Sequence, residues 1–206
     1  MLGNTPLSIK TFVVVGILLV ALVSVVRAAQ HDQASAELKS PTSRDIRRME
    51  TLKEEIRHQL VTLPYYTVFD WLQGEANADG TVVLTGQVVR STLKNDAEAR
   101  IKKLESATQV INNIEVLPVS SFDDHLRMAL FRRTFGFDSP LFIYGTWSIP
   151  PIHIIVNNGH VVLRGIVEND TDSQLAYFAA RQVANVFDVK NELQIEVRTD
   201  ETVSRK

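Results

Sequence analysis

The 206-residue chain contains no cysteine. That excludes disulfides, a thiol nucleophile, thiolate metal sites and lipid attachment through a cysteine within these residues. A dominant charge is lacking as well: 22 basic against 24 acidic side chains leave a net charge of −2. No overall field draws such a chain to nucleic acid or anionic lipid, so any such contact needs a local patch. The histidines (His31, His58, His125, His153 and His160) show neither H-x-x-x-H nor H-E-x-x-H spacing. No G-x-S-x-G and no phosphate-cradling glycine loop is present. Asp123-Asp124 reads as the acidic first turn of a helix rather than a catalytic carboxylate pair. The expectation is a protein that is not an enzyme and that uses no cofactor or metal.

Long apolar runs are absent with one exception. From Phe12 to Val26 the chain is apolar apart from Gly16 and Ser24, with Lys10 before it and Val26-Arg27-Ala28 behind. A cationic start, a short apolar core and small residues at a V-x-A site predict a secretory signal peptide, residues 1–28, cut after Ala28. The competing reading is an uncleaved N-terminal membrane anchor, for which the run falls short of the ~20 residues a spanning helix needs. Loss of residues 1–28 removes Lys10 and Arg27 and no acid, which leaves the exported chain more acidic. Residues 29–43 are polar and aperiodic, a linker, and residues 199–206 a polar tail.

What the chain does have is one unit written twice. Gly80-Thr-Val-Val-Leu-Thr-Gly86 returns as Gly159-His-Val-Val-Leu-Arg-Gly165, and Val110-Ile-Asn-Asn-Ile-Glu-Val116 as Val189-Lys-Asn-Glu-Leu-Gln-Ile195. A single offset of 79 superposes Gly80 on Gly159, Gly86 on Gly165, Val88 on Val167 and Asn112 on Asn191. A tandem duplication explains one gapless offset over such a length. The G-x-V-x-L-x-G-x-V strand, a helix, then V-x-N-x-(L/I)-x-(V/I) resembles the BON domain (bacterial OsmY and nodulation), as in osmotically induced periplasmic proteins. Where that family usually has Gly-Val before the last strand, this chain has Ser106-Ala107 and Asn185-Val186. Asn suits the left-handed residue that ends a helix, and Ser suits it less well.

Periodicity supplies the elements. A helix is expected from a cap at Thr42 or Ser43, with Ile46, Met49, Leu52, Ile56 and Leu60 on one face. A strand over 68–76, a turn at Asp79-Gly80 and a strand over 81–89 follow, then a helix striped by Leu93, Ala97, Ile101 and Leu104. The last strand turns Val110, Asn112, Ile114 and Val116 inward. In the second copy Ser121 caps a helix, Asn157-Asn158-Gly159 makes the hairpin turn, and Val189, Asn191, Leu193 and Ile195 face inward. Gly86 and Gly165 are read as sites of close helix–sheet approach. Asn112 and Asn191 are read as structural, bonded to the preceding turn. His153 and His160 would stand near one another across the second hairpin. The predicted fold class is α+β: two tandem α-β-β-α-β domains, 44–118 and 121–198. Each has a mixed three-stranded sheet with two helices on one face and a wet opposite face. Free sheet edges leave room for strand addition.

Residues 134–151 interrupt the repeat with Phe135, Phe137, Phe142, Tyr144 and Trp147. They are either core or a contact surface. The BON resemblance implies an exported, periplasmic envelope or osmotic-stress protein that contacts phospholipid, anionic lipid above all, through the first helix of the second copy. Here that stretch holds Arg127, Phe131, Arg132 and Arg133, followed by Phe135 and Phe137, a basic–aromatic set with the arginines expected at the surface. The alternative is a chaperone-like or scaffolding protein that recognises other envelope proteins. Neither reading involves nucleic acid.

Overall fold

Leu52, Ile56 and Leu60 recur at four-residue spacing and are buried along α1 (Ser43–Val61), whereas Ile46, one end of the same stripe, is exposed. The computed structural model describes residues 43–196. The expected signal peptide with its cleavage site, Thr42 as a cap, the linker up to that point and the tail lie outside the described residues.

After α1 come β1 (Trp71–Ala76), β2 (Thr81–Val88), α2 (Ser91–Ile101), β3 (Gln109–Asn112) and β4 (Glu115–Val116). β1 runs antiparallel to β2, with Gly74 opposite Leu84. β3 and β4 occupy one lane parallel to β2, with Asn112 opposite Leu84 and Val116 opposite Val88. A helical crossover is what permits that parallel return. The second copy repeats the plan with α3 (Ser121–Phe135), a one-turn α4 (Phe142–Gly145), β5 (Ile152–Asn157), β6 (His160–Val167), α5 (Asp170–Arg181) and β7 (Asp188–Ile195). β5 pairs antiparallel with β6, and β6 parallel with β7. The fold is α+β, two tandem mixed sheets with their helices. Each copy has its own apolar core, built on Leu84, Leu93 and Ile101 in the first and on Leu130, Ile154 and Leu163 in the second.

Several expectations are corrected. β1 begins at Trp71 and not at 68, because Val68 has left the first copy. Its side chain is buried in the second core, and its carbonyl accepts from the Ile154 N–H at 2.8 Å. The Asp70 carboxylate holds this departure in place: it accepts from the Thr67 N–H (3.0 Å) and hydroxyl (2.7 Å) and from the Val89 N–H (2.8 Å). The first copy's last strand is broken between Asn112 and Glu115, whereas the second copy's runs unbroken from Asp188 to Ile195. Past the break Val116 is exposed and Leu117 buried. In the second copy Ile195 likewise lies exposed near the strand end. The cap of α3 is Ser120, whose hydroxyl accepts from the Asp123 N–H, and Ser121 is the first helical residue. The sheet's outer face is not wholly wet, because His153 and Ile155 on β5 are buried. His153 stands opposite Arg164, while His160 pairs with Asp188, so the two histidines are not partners.

Gly86 and Gly165 matter for a reason other than helix approach. Their φ angles are +126° and +122°, and a Cβ would lie 1.9 Å from the carbonyl oxygens of Trp71 and Pro151. The close neighbour is the backbone of the edge strand. Asn185 takes the left-handed conformation (φ +68°), as its place at the helix end suggested. Asn112 and Asn191 are structural, but the partner is the second helix. Asn112 donates to the Lys94 carbonyl (3.0 Å) and the Glu98 carboxylate (2.9 Å), Asn191 to the Ser173 carbonyl (3.3 Å) and hydroxyl (2.9 Å).

Candidate membrane-contact surface

The basic–aromatic set divides in two. Arg127 is only 3% exposed. Its guanidinium donates to Asp124 (2.6 Å) and to the Val156 carbonyl (2.8 Å), so it ties α3 to β5 and cannot reach a surface ligand. The expected exposure of Arg127 is therefore corrected. Spacing accounts for it, since Asp123, Arg127, Leu130 and Thr134 fall on the buried face of α3. Phe135 is buried in the second core, and Phe131 is half-buried between Phe69 and Phe135 at ring distances of 6.3 and 5.3 Å. Both belong to packing.

Arg132, Arg133 and Phe137 are exposed, Phe137 to 89%. Arg132 donates to the Met128 carbonyl at 3.1 Å, and Arg133 reaches the Gln182 side chain. Two cations in the last turn of α3 also suit the negative end of the helix. Phe137 packs on Phe142 with ring centroids 4.8 Å apart, and Ile143 next to it is exposed. Across a concavity of about 310 Å³ lies the exposed Phe178 of α5. The concavity thus joins two guanidiniums to the uncovered Phe137 and Phe178, with Asp138 in its lining.

Tyr144 fixes this display. It is buried, donates to the Asp172 carboxylate at 2.6 Å and accepts from the Glu168 N–H at 3.1 Å. Burial, and then the bond to Asp172, push its pKa up to about 12, so it remains a neutral donor. With Leu141 and Tyr144 held inward, α4 turns Phe142 and Ile143 outward. The aromatic stretch is thus both core and surface. Sequence reasoning passed over Ile143 and Phe178 as surface groups. Ala176 and Ala180, four residues apart and buried, leave Phe178 on the far side of α5.

Asp123, read from the sequence only as part of an acidic first turn, is fully buried, and its carboxylate accepts from the N–H groups of Asn158 and Gly159, each at 2.9 Å. It holds the β5–β6 turn onto α3. Among the described residues, no helix is long and apolar enough to cross a membrane.

Comparison with known proteins bears on both copies. The BON domain family model matches residues 75–118 and 143–197. Outer membrane lipoprotein DolP of Haemophilus influenzae is 32% identical over 126 residues, which is 60% of this chain and 62% of that protein. The chain thus spans less than two thirds of that relative's length. A solved C-terminal domain of CdsD, the structural protein of the type III secretion system of Chlamydia trachomatis, is similar at 13% identity and TM-score 0.29, covering 71% of this chain and 98% of that one. A second CdsD structure gives 15% identity and TM-score 0.27, with 71% and 92% covered. Scores this low support no inference.

Proposed function

Because the chain belongs to the BON-domain family and carries the domain twice, we propose that it is a non-enzymatic, exported envelope protein that contacts anionic phospholipid. On this reading it serves an envelope or osmotic-stress role, and the contact is the end of α3 with α4. The observation that supports this is the placement of Arg132 and Arg133 beside the uncovered Phe137, which packs on Phe142. An envelope setting is supported by similarity to an outer membrane lipoprotein.

Two forces act at such a patch. Each cation near an anionic surface contributes about 1 kcal/mol, which salt screens. A phenylalanine that leaves water contributes about 1.5–3 kcal/mol, which salt does not screen. With a net charge of −2 the chain as a whole gives no help, so the electrostatic attraction rests on the local pair Arg132 and Arg133.

The test uses the full chain and vesicles with and without anionic lipid. The parent is expected to bind only the anionic vesicles. Arg132→Glu with Arg133→Glu should abolish binding, and Phe137→Ser with Phe142→Ser should weaken it while keeping its salt dependence. Charge reversal at Arg47 and Arg48 on α1 should change little. A parent that ignores anionic vesicles, or a double reversal that binds like the parent, refutes the reading. Amino-terminal sequencing of the extracytoplasmic protein tests export with cleavage after Ala28.

A further inference from the structure

The two copies treat the free edges of their sheets differently. In the first strand of each hairpin, Gly74 stands opposite Leu84 and Ile154 opposite Leu163. Leu84 and Leu163 are repeat equivalents, so Gly74 and Ile154 occupy the same place on their edges. Asn77 donates to Thr81 across the first turn, which makes the odd-numbered residues of β1 the ones bonded to β2. The amides and carbonyls of Leu72 and Gly74 therefore point outward from the sheet.

On β5 that outward position is filled. The segment before β1 comes alongside, the Val68 carbonyl accepts from the Ile154 N–H at 2.8 Å, and the Val68 side chain enters the second core. On β1 the Tyr66 side chain lies beside the Leu72 backbone. Gly74 has no such partner among the described residues. It opens instead on a groove of about 760 Å³ between α1, β1 and the 147–151 segment of the second copy. Both tryptophans of the chain, Trp71 and Trp147, line it, together with Tyr66, Ile149, Pro150 and Ile166. Trp147 is 60% exposed and Ile166 is exposed as well.

We propose that this groove takes an extended apolar peptide segment of a partner protein by strand addition to β1, as residues 67–69 of this chain seat on β5. An exposed edge with unpaired backbone groups is a template for such pairing, and pockets beside it select alternate side chains. An acyl chain would fill the apolar floor but leave the Gly74 N–H and C=O without partners. The α1 wall carries Glu50, Lys53 and the paired Glu54 and Arg57, a mixed lining that gives anionic headgroups no net pull. The site is separate from the arginine–phenylalanine patch and does not depend on it.

The probe is a synthetic peptide copying residues 65–70, which contains no tryptophan, added to the full chain. Because both tryptophans line the groove, emission reports occupancy. A saturable blue shift is expected, with the Gly74 amide exchanging about tenfold more slowly and the Ile154 amide unchanged. Two analogues N-methylated on alternate residues separate pairing from greasiness: one set of methyls faces the edge and should weaken binding about tenfold or more, the other should not. Trp147→Ser, at an exposed position the fold does not need, should weaken it about as much. The proposal is overturned if both analogues bind like the parent peptide or if Gly74 exchange is unaffected. It is overturned equally if emission responds to anionic vesicles or to protein concentration alone and not to the peptide.

Discussion

His153 should make the chain lose stability on mild acidification. The imidazole is only 5% exposed, packed against the rings of Tyr66 and Trp71 at 5.5 and 5.1 Å, and its Nδ1 has no partner. Burial outweighs the Asp70 carbonyl bond and the Asp70 charge, and holds the pKa at about 4 instead of 6.5. The unfolded chain therefore takes up a proton below pH 6.5 that the folded chain refuses until about pH 4. Stability from this group is fully present above pH 6.5 and is lost as pH falls towards 4. At about 1.4 kcal/mol per pH unit, the loss between pH 7 and 5 is about 2 kcal/mol. Carboxylates held low, such as Glu192 beside Lys190 and Arg164, lose their contribution only in more acid solution, so this window isolates the histidine. Urea denaturation at pH 7, 6 and 5 measures it, and ring NMR titration gives the midpoint directly. His153→Phe should flatten the dependence while the exposed His58, His125 and His160 remain. Equal stability at pH 7 and 5, or a ring midpoint near 6.5, refutes the reasoning.

Gly86→Ala and Gly165→Ala should each cost about 2–4 kcal/mol, from a backbone conformation that side chains avoid plus a carbonyl that must move. Gly74→Ala, whose Cβ meets side chains only, the nearest being the Ile56 methyl at 2.4 Å and the Leu84 methyl at 3.3 Å, should cost less in a thermal melt. Asn112→Ala and Asn191→Ala should each cost about 1–3 kcal/mol, because a helix carbonyl and a strand amide both lose their partner. Asp123→Ala should cost about 2 kcal/mol or more and speed amide exchange at Asn158 and Gly159, the two donors it strands. If exchange at those two amides is unchanged, the carboxylate is not what holds the turn.

Much of the candidate surface was legible only by kind of residue. Arg127, Arg132 and Arg133 look alike in a list of cations, yet one is buried and two are exposed. The four-, three- and four-residue steps from Asp123 to Thr134 mark the buried face, but a buried Asp and Arg on it contradict what such side chains usually do. What makes them tolerable is distant in sequence: the turn amides of Asn158 and Gly159 and the carbonyl of Val156. Phe135 and Phe137 differ for the same reason, since a helix end meets the core on one side only.

The sequence by itself determined the duplication, the order of elements in each copy and the turns of the hairpins. Those follow from glycine positions and from periods of two and 3.6, which the backbone imposes locally. Only the tertiary structure decided that Val68 crosses to the other copy, that His153 is covered by Tyr66 and Trp71, and that one sheet edge is filled while its equivalent lies open. These depend on which surfaces meet across more than eighty residues. No local period encodes such a meeting, because it is settled by the joint burial of groups whose own neighbours in the chain leave them free.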